Sequence, residues 1–227
     1  RWLSARPTNL VRKWEAEYRA RLFEGFRCQR LRRSAPCRTL EELAAIASRY
    51  EAIIAGSDQI WNPMWLNQNP LYWDVYFAAF ASPRQKLLAY AASFGQPSVS
   101  GFSDQDRTRM ADVLRRFHAI SVREASGVEI VRELCGRADA EHVSDPTLLL
   151  ETGVYHAMAD SAKPLRRRRP YVFAFALHQV EEPVRRLAEA AAQALDAEVS
   201  FCNARRVWGR GTRLPSPEGW LRGIRDA

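Results

Sequence analysis

The chain has 227 residues, 47% of them hydrophobic and 26% charged. That composition excludes a wholly disordered chain or a coiled-coil rod and suffices for one large domain or two small ones. The 34 Lys and Arg against 26 Asp and Glu give +8, of which residues 1–50 carry +7, residues 51–150 carry −3 and residues 151–227 carry +4, so the middle of the chain is excluded as a nucleic-acid surface.

The basic side is almost all arginine, with only Lys13, Lys86 and Lys163 as lysines. Arginine is the better fork for phosphate and carboxylate. A GC-rich genome produces the same bias, so the bias alone identifies no ligand. No segment reads as a membrane span: the uncharged run 87–103 holds Gly95, Gln96 and Pro97. The charged start shows no signal peptide, which makes a cytoplasmic location the default expectation. Cys28, Cys37, Cys135 and Cys202 fit no CxxC pair and no zinc spacing, and are expected to be reduced and structural.

Leu10, Trp14, Tyr18 and Leu22 recur every four residues and predict an amphipathic helix over 8–24. Residues 29–38 read as a basic loop. Thr39 then reads as the N-cap of a short helix to about Arg49, with Glu41 and Glu42 in its first turn. Short apolar runs come next at 52–55, 87–92 and 119–122. Between them lie a helix at 103–117 and, after the last, a helix capped by Ser126 and ended by Gly136. This alternation argues for βαβ units and a parallel sheet. A connecting helical stretch covers 148–158. Residues 161–170, with Arg166, Arg167, Arg168 and Arg169 in a row, read as a linker. The pattern restarts with a strand at 171–177, an Ala-rich helix at 181–195, a strand at 198–202 and a helix beginning at Pro217. The expected organisation is a first Rossmann-like domain over 1–160, the 161–170 linker, and the opening of a second such domain over 171–227.

Phosphate-loop, dinucleotide, nucleophile-elbow and zinc-protease fingerprints are absent. Gly209-Arg210-Gly211 is only a turn. Chemistry concentrates instead in polar turns at the C-terminal ends of the predicted strands, where open α/β sheets bind ligands. Gly56-Ser57-Asp58-Gln59-Ile60-Trp61-Asn62-Pro63 adjoins the first. Gly56 allows a tight turn there, and with Ser57 it offers backbone amides to an anion. Asp58 either handles a hydroxyl or acts as an N-cap, with Trp61 as buried packing. Gln59 and Asn62 in this turn, and Ser93 in Tyr90-Ala91-Ala92-Ser93-Phe94-Gly95, join the substrate-binding candidates, although Ser93 alone reads more readily as structural. Arg123 and Glu124 come after the third run: Arg123 suits an anion, while Glu124 is an acid or base, or favours a helix N-terminus. In a parallel sheet these three turns converge. Asp145-Pro146 reads as a structural turn at the domain boundary. His118, His142 and His156 read as structural, and His178 is the least implausible functional histidine. No metal-ligand spacing is present.

GSDQIWNP (56–63), YAASFG (90–95), SVRE-x-SG (121–127) and DPTLLL (145–150), in this order and spacing, resemble the polysaccharide pyruvyl transferase family over about residues 45–227. The resemblance implies two Rossmann-like domains in a glycosyltransferase-B-like arrangement. It implies transfer of a pyruvyl group from phosphoenolpyruvate to a sugar of a cell-surface glycan, forming a ketal and releasing phosphate. No further cofactor is implied, and the acceptor is a glycan or a lipid-linked saccharide. Peripheral association with the inner membrane face remains open. On this reading Arg123 contacts an anion, Gly56 and Ser57 supply amides, and Asp58 and Glu124 handle hydroxyls. Two departures matter. The family's opening Gly- and Asn-containing strand–turn–helix has no match in residues 1–50, and its second-domain Ser-Phe-His-Gly-like motif is missing. The expectation is a chain truncated at both ends that binds little and catalyses nothing. A nucleotide-sugar glycosyltransferase of the same fold and a non-enzymatic basic binding module stay open as alternatives.

Overall fold

The computed structural model describes residues 9–164, 169–176, 182–203, 208–209, 212–213 and 215–227. His178, Arg166 to Arg168 and part of the 209–211 turn lie outside the described residues. The chain divides into two units, Ser34–Leu150 and Arg1–Arg33 with Glu151–Ala227. The division differs from the expected boundary at 160, and residues 1–33 group with the C-terminal part. The reason is helix packing: α1 (Asn9–Arg30) lies against the last helix of the chain, and Arg30 Nη2 donates to Ser161 Oγ at 3.4 Å. Helix α1 also runs past the expected end at 24, with Arg27 and Arg30 in its last turn, where cations suit the helix dipole.

In Ser34–Leu150, Thr39 caps α2 (Leu40–Ala47) as expected, accepting from Glu42 N at 3.2 Å. Strands β1 (Ala52–Ala55), β2 (Lys86–Ala92), β3 (Ala119–Val122) and β4 (Glu141–His142) form a sheet in the order β1-β2-β3-β4, every pair parallel. The connections are α3 (Pro63–Leu66) with α4 (Pro70–Tyr76), then α5 (Asp104–Leu114), then α6 (Ala125–Cys135). Right-handed crossovers are the rule between parallel strands, and with strands laid down in chain order they send every connecting helix to one face; Trp73, Leu114 and Ile130, from three of those helices, share one core cluster. Leu87, Ala89, Ile120 and Val122 are buried, whereas Ile54, one residue out of phase in its pairing with Leu88, is 62% exposed. The helix-covered side holds an aromatic core. Trp61 is fully buried, stacked on Phe77 at 5.5 Å and met by Phe94 and Phe117. The α/β class and the parallel, Rossmann-like sheet are thus as expected, while α3 and α4 carry too few residues for a helical period to show.

In the other unit, β5 (Tyr171–Ala176) pairs parallel with β6 (Glu198–Asn203), and a short antiparallel pair, β7 (Trp208–Gly209) and β8 (Thr212–Arg213), extends the sheet. Helix α8 (Glu182–Ala194) lies between β5 and β6 in sequence. Helix α9 (Pro217–Arg225), capped by Ser216, packs on α7 (Thr152–Asp160), and Arg225 Nη1 donates to Asp160 Oδ1 at 2.8 Å. A Cβ on Gly223 would sit 2.6 Å from the Phe173 ring, so only glycine lets α9 approach β5 this closely. Tyr171 Oη donates to Gly223 O at 3.0 Å across the same contact.

Candidate functional site

The polar turns at the ends of β1, β2 and β3 do converge, and a fourth joins them from the end of β4. Ser57 Oγ donates to Asp145 Oδ2 at 3.3 Å. Arg123 Nη1 donates to the same oxygen at 3.1 Å, and Arg123 Nε donates to Glu124 Oε1 at 3.3 Å. Ser93 Oγ donates to that Glu124 oxygen at 2.7 Å and accepts from Gly95 N at 3.1 Å. One chain of contacts therefore runs Ser57–Asp145–Arg123–Glu124–Ser93.

Backbone irregularity sets these positions. The pairing of β2 with β3 shifts between Ala89 and Ala92, and Ala91 there has φ 53. Ser121 Oγ fills the irregularity, accepting from Ala91 N and donating to Ala89 O, each at 3.1 Å. Buried backbone groups that lose a ladder partner need such a substitute. Ser93 leaves β2 fully buried, its N–H on Asp58 O at 2.9 Å. Asp58 itself has φ 88, a left-handed conformation that costs a non-glycine residue about 1–3 kcal/mol and clusters at functional sites.

Gly56 does not play its expected part. Its φ is ordinary and a Cβ there would meet open space, so the tight turn falls on Asp58. Gly95 is the glycine that geometry demands. Its φ is +60, and a Cβ would lie 2.5 Å from Asn62 Nδ2 and 2.7 Å from Gln59 Oε1. Asn62, 4% exposed, caps α3 by accepting from Met64 N at 3.0 Å and donates Nδ2 to Gln59 Oε1 at 2.9 Å. Asp58, Gln59 and Asn62 thus form a second group beside α3. It joins the first through the Asp58–Ser93 backbone contact, since the Asp58 carboxylate turns onto Gln59 N at 2.7 Å. Ser126 does not cap α6. Glu124 occupies the cap position without a side-chain cap bond, and Ser126 Oγ donates to Gln96 O at 3.3 Å.

Asp145 is the residue that sequence reasoning passed over. It does form the expected turn, accepting from Thr147 N and Thr147 Oγ1, and its other oxygen anchors Arg123. The same signal that marked the other turns, a polar residue just past a strand, was present, but Pro146 explained it away. The two Thr147 donors, then Arg123 and Ser57, hold its carboxyl down at about 2, against 3.8 ordinarily. It stays ionised at neutral pH. Burial works against the Arg123 charge, but its bonds to Asp145 and Glu124 outweigh that and raise its pKa above the ordinary arginine value. Those bonds use Nε and Nη1, and among the described residues none accepts from Nη2. His142 touches the same segment, Nε2 to Arg123 O at 3.1 Å, in a supporting position. With Asp58, Glu124 and Asp145 against Arg123, these side chains carry two more negative charges than positive ones. Among the described residues no three His, Cys, Asp or Glu group as a metal site, and no helix is long and apolar enough to cross a membrane.

The arrangement can hold one carboxylate, Glu124, in a fixed orientation by two donors, with an arginine edge alongside, at the mouth of a parallel sheet. That suits proton transfer from a hydroxyl next to an anionic group. A family model for polysaccharide pyruvyl transferase matches residues 4–226, nearly the whole chain. No curated protein and no solved structure shows a significant match.

Proposed function

The chain belongs to the polysaccharide pyruvyl transferase family, a family of transferases, and from that premise we propose that it moves a pyruvyl group from phosphoenolpyruvate to a sugar of a cell-surface glycan. The reaction adds a proton to the methylene carbon of the donor, which becomes a methyl group, and leaves a cationic centre at C2. Two sugar hydroxyls add to that centre and the C2–O bond to phosphate breaks. One hydroxyl proton replaces the proton used at carbon, and the other leaves with phosphate.

Glu124 accepts a proton from one attacking hydroxyl, held in line by Ser93 Oγ and Arg123 Nε. Asp58 serves the second hydroxyl from the adjacent turn. Arg123 presents its Nη2 edge to the donor's carboxylate or phosphate, and Asp145 keeps it there without titrating. Ser57 steadies Asp145, while Gln59 and Asn62 shape the acceptor side. No cofactor enters beyond the donor. The acceptor is a glycan, free or lipid-linked, and the setting is the cytoplasm, in exopolysaccharide or cell-wall glycan synthesis.

The observation that carries this reading is the fixed Glu124 carboxylate between Ser93 and Arg123. The test offers phosphoenolpyruvate and nucleotide sugars separately, with glycan acceptors, to protein expressed from the whole reading frame that holds these residues. Acceptor-dependent phosphate release from phosphoenolpyruvate, lost in Glu124→Gln, is expected. Consumption of a nucleotide sugar instead overturns the reading.

A further inference from the structure

Beside the Glu124 cluster lies a small pocket of about 170 Å³, lined by Asp58, Gln59, Ile60, Trp65 and Tyr76. We propose that it is the acceptor subsite and takes one neutral pyranose ring, stacked on Trp65. The proposal rests on the glycan-acceptor reading above and specifies its substrate.

Four features decide the ligand class. The lining holds a carboxylate, a carboxamide, two aromatic rings and an isoleucine, but no cation, so a phosphate or carboxylate finds repulsion and no partner there. The volume is well under the ~300–1,000 Å³ of pockets that enclose drug-sized ligands, and suits a single sugar ring rather than a whole nucleotide. Trp65 is 45% exposed, although its neighbours Leu66 and Trp61 are fully buried. An indole left open at the wall of a polar pocket offers a flat apolar face to the C–H side of a pyranose.

The fourth feature is preorganisation. Trp65 Nε1 donates to Gln59 Oε1 at 3.3 Å, and buried Asn62 donates to the same oxygen at 2.9 Å. Two donors on one oxygen fix which way the carboxamide faces, so Gln59 Nε2, which meets no acceptor among the described residues, is the donor for a hydroxyl. Asp58 Oδ1 is taken by Gln59 N, and Oδ2 remains as an acceptor. The ring, one donor and one acceptor are therefore oriented before any sugar arrives, which lowers the ordering cost of binding. A sugar seated there has its hydroxyls beside Asp58, in the turn whose backbone carries Ser93 toward Glu124.

The experiment titrates methyl glucopyranoside, methyl galactopyranoside and methyl mannopyranoside into protein expressed from the whole reading frame that holds these residues, read by saturation-transfer NMR. At least one configuration is expected to bind. Trp65→Ala should weaken it about tenfold or more, about 1.4 kcal/mol, while Trp65→Phe stays within a few-fold of the parent. Circular dichroism checks that both variants fold. Failure of all three sugars to bind, or equal binding by Trp65→Ala, overturns the pocket. The two readings separate cleanly. If pyranosides bind through Trp65 but phosphoenolpyruvate is never consumed, the subsite stands and pyruvyl transfer falls. If transfer proceeds with an unchanged acceptor KM in Trp65→Ala, the subsite falls and pyruvyl transfer stands.

Discussion

The two units differ most in charge. Residues 34–150 hold 11 basic and 14 acidic side chains, a net −3, whereas residues 1–33 with 151–227 hold 23 and 12, a net +11. Every motif turn of the site lies in the acidic unit. The contrast extends to how polar groups are used. In the acidic unit, site side chains hold one another, as Arg123 does with Asp145 and Glu124. In the basic unit, arginines tie helices together, as Arg222 does with Ala162 O at 2.8 Å and Arg225 with Asp160. The same residue type orients a site in one unit and fastens packing in the other.

The largest expected effect tests where the acidic unit keeps its stability. Trp61→Ala removes a fully buried ring from a three-phenylalanine cluster. It should cost about 3–5 kcal/mol in urea unfolding, and a loss below about 1 kcal/mol would deny that the site rests on this core. Next comes Arg123→Ala, which leaves Asp145 and Glu124 without their shared cation. We expect kcat/KM for phosphoenolpyruvate to fall about a hundredfold with a raised KM. Arg123→Lys should rescue little, because an ammonium cannot reproduce the two-pronged Nε and Nη1 contact. An unchanged KM in the alanine variant removes Arg123 from the site. Gly95→Ala places a Cβ against Asn62 and Gln59 at positive φ. It should destabilise by about 1–3 kcal/mol and weaken sugar binding through Trp65.

A smaller effect is confined to acid. Asp145 titrates at about 2 in the folded chain against 3.8 ordinarily, so its stabilisation is complete above 3.8 and is lost as pH falls towards 2. Thermal melts from about pH 5 to pH 2 should fall less steeply for Asp145→Asn than for the parent, and parallel curves would contradict the anchoring role. Smallest is Tyr171→Phe in the basic unit, which deletes one buried hydrogen bond to Gly223 O. A loss of about 1 kcal/mol is expected in the same urea measurement.

Much of this was legible in residue order. The apolar runs at 52–55, 87–92 and 119–122 became β1, β2 and β3, and Thr39 and Gly136 bound their helices as their chemistry predicts. The short helices α3 and α4 escaped notice. Their signal is local, Asn62-Pro63 and Asn69-Pro70 as cap and first residue, with no period to reveal them. Convergence of the turns was foreseeable once the strands were parallel. The pairing of Asp145 with Arg123 was not, since 22 residues of chain separate them.

Sequence alone therefore determined where β1, β2, β3, β5 and β6 lie, that these strands run parallel, and that polar turns gather at their ends, because hydrophobic period and capping act over a few residues; the two-residue strands β4, β7 and β8 are too short to show such a pattern. It also carried the family, through four spaced motifs. Tertiary structure decided how those motifs hold one another: Ser121 in the β2 irregularity, Gly95 against Asn62 and Gln59, Asp145 under Arg123, and the open Trp65 face. It also decided that the tight turn belongs to Asp58 rather than Gly56, and that α1 packs with the C-terminal helices. These are contacts between residues distant in the chain. They arise from strand register and close packing, which no local pattern encodes.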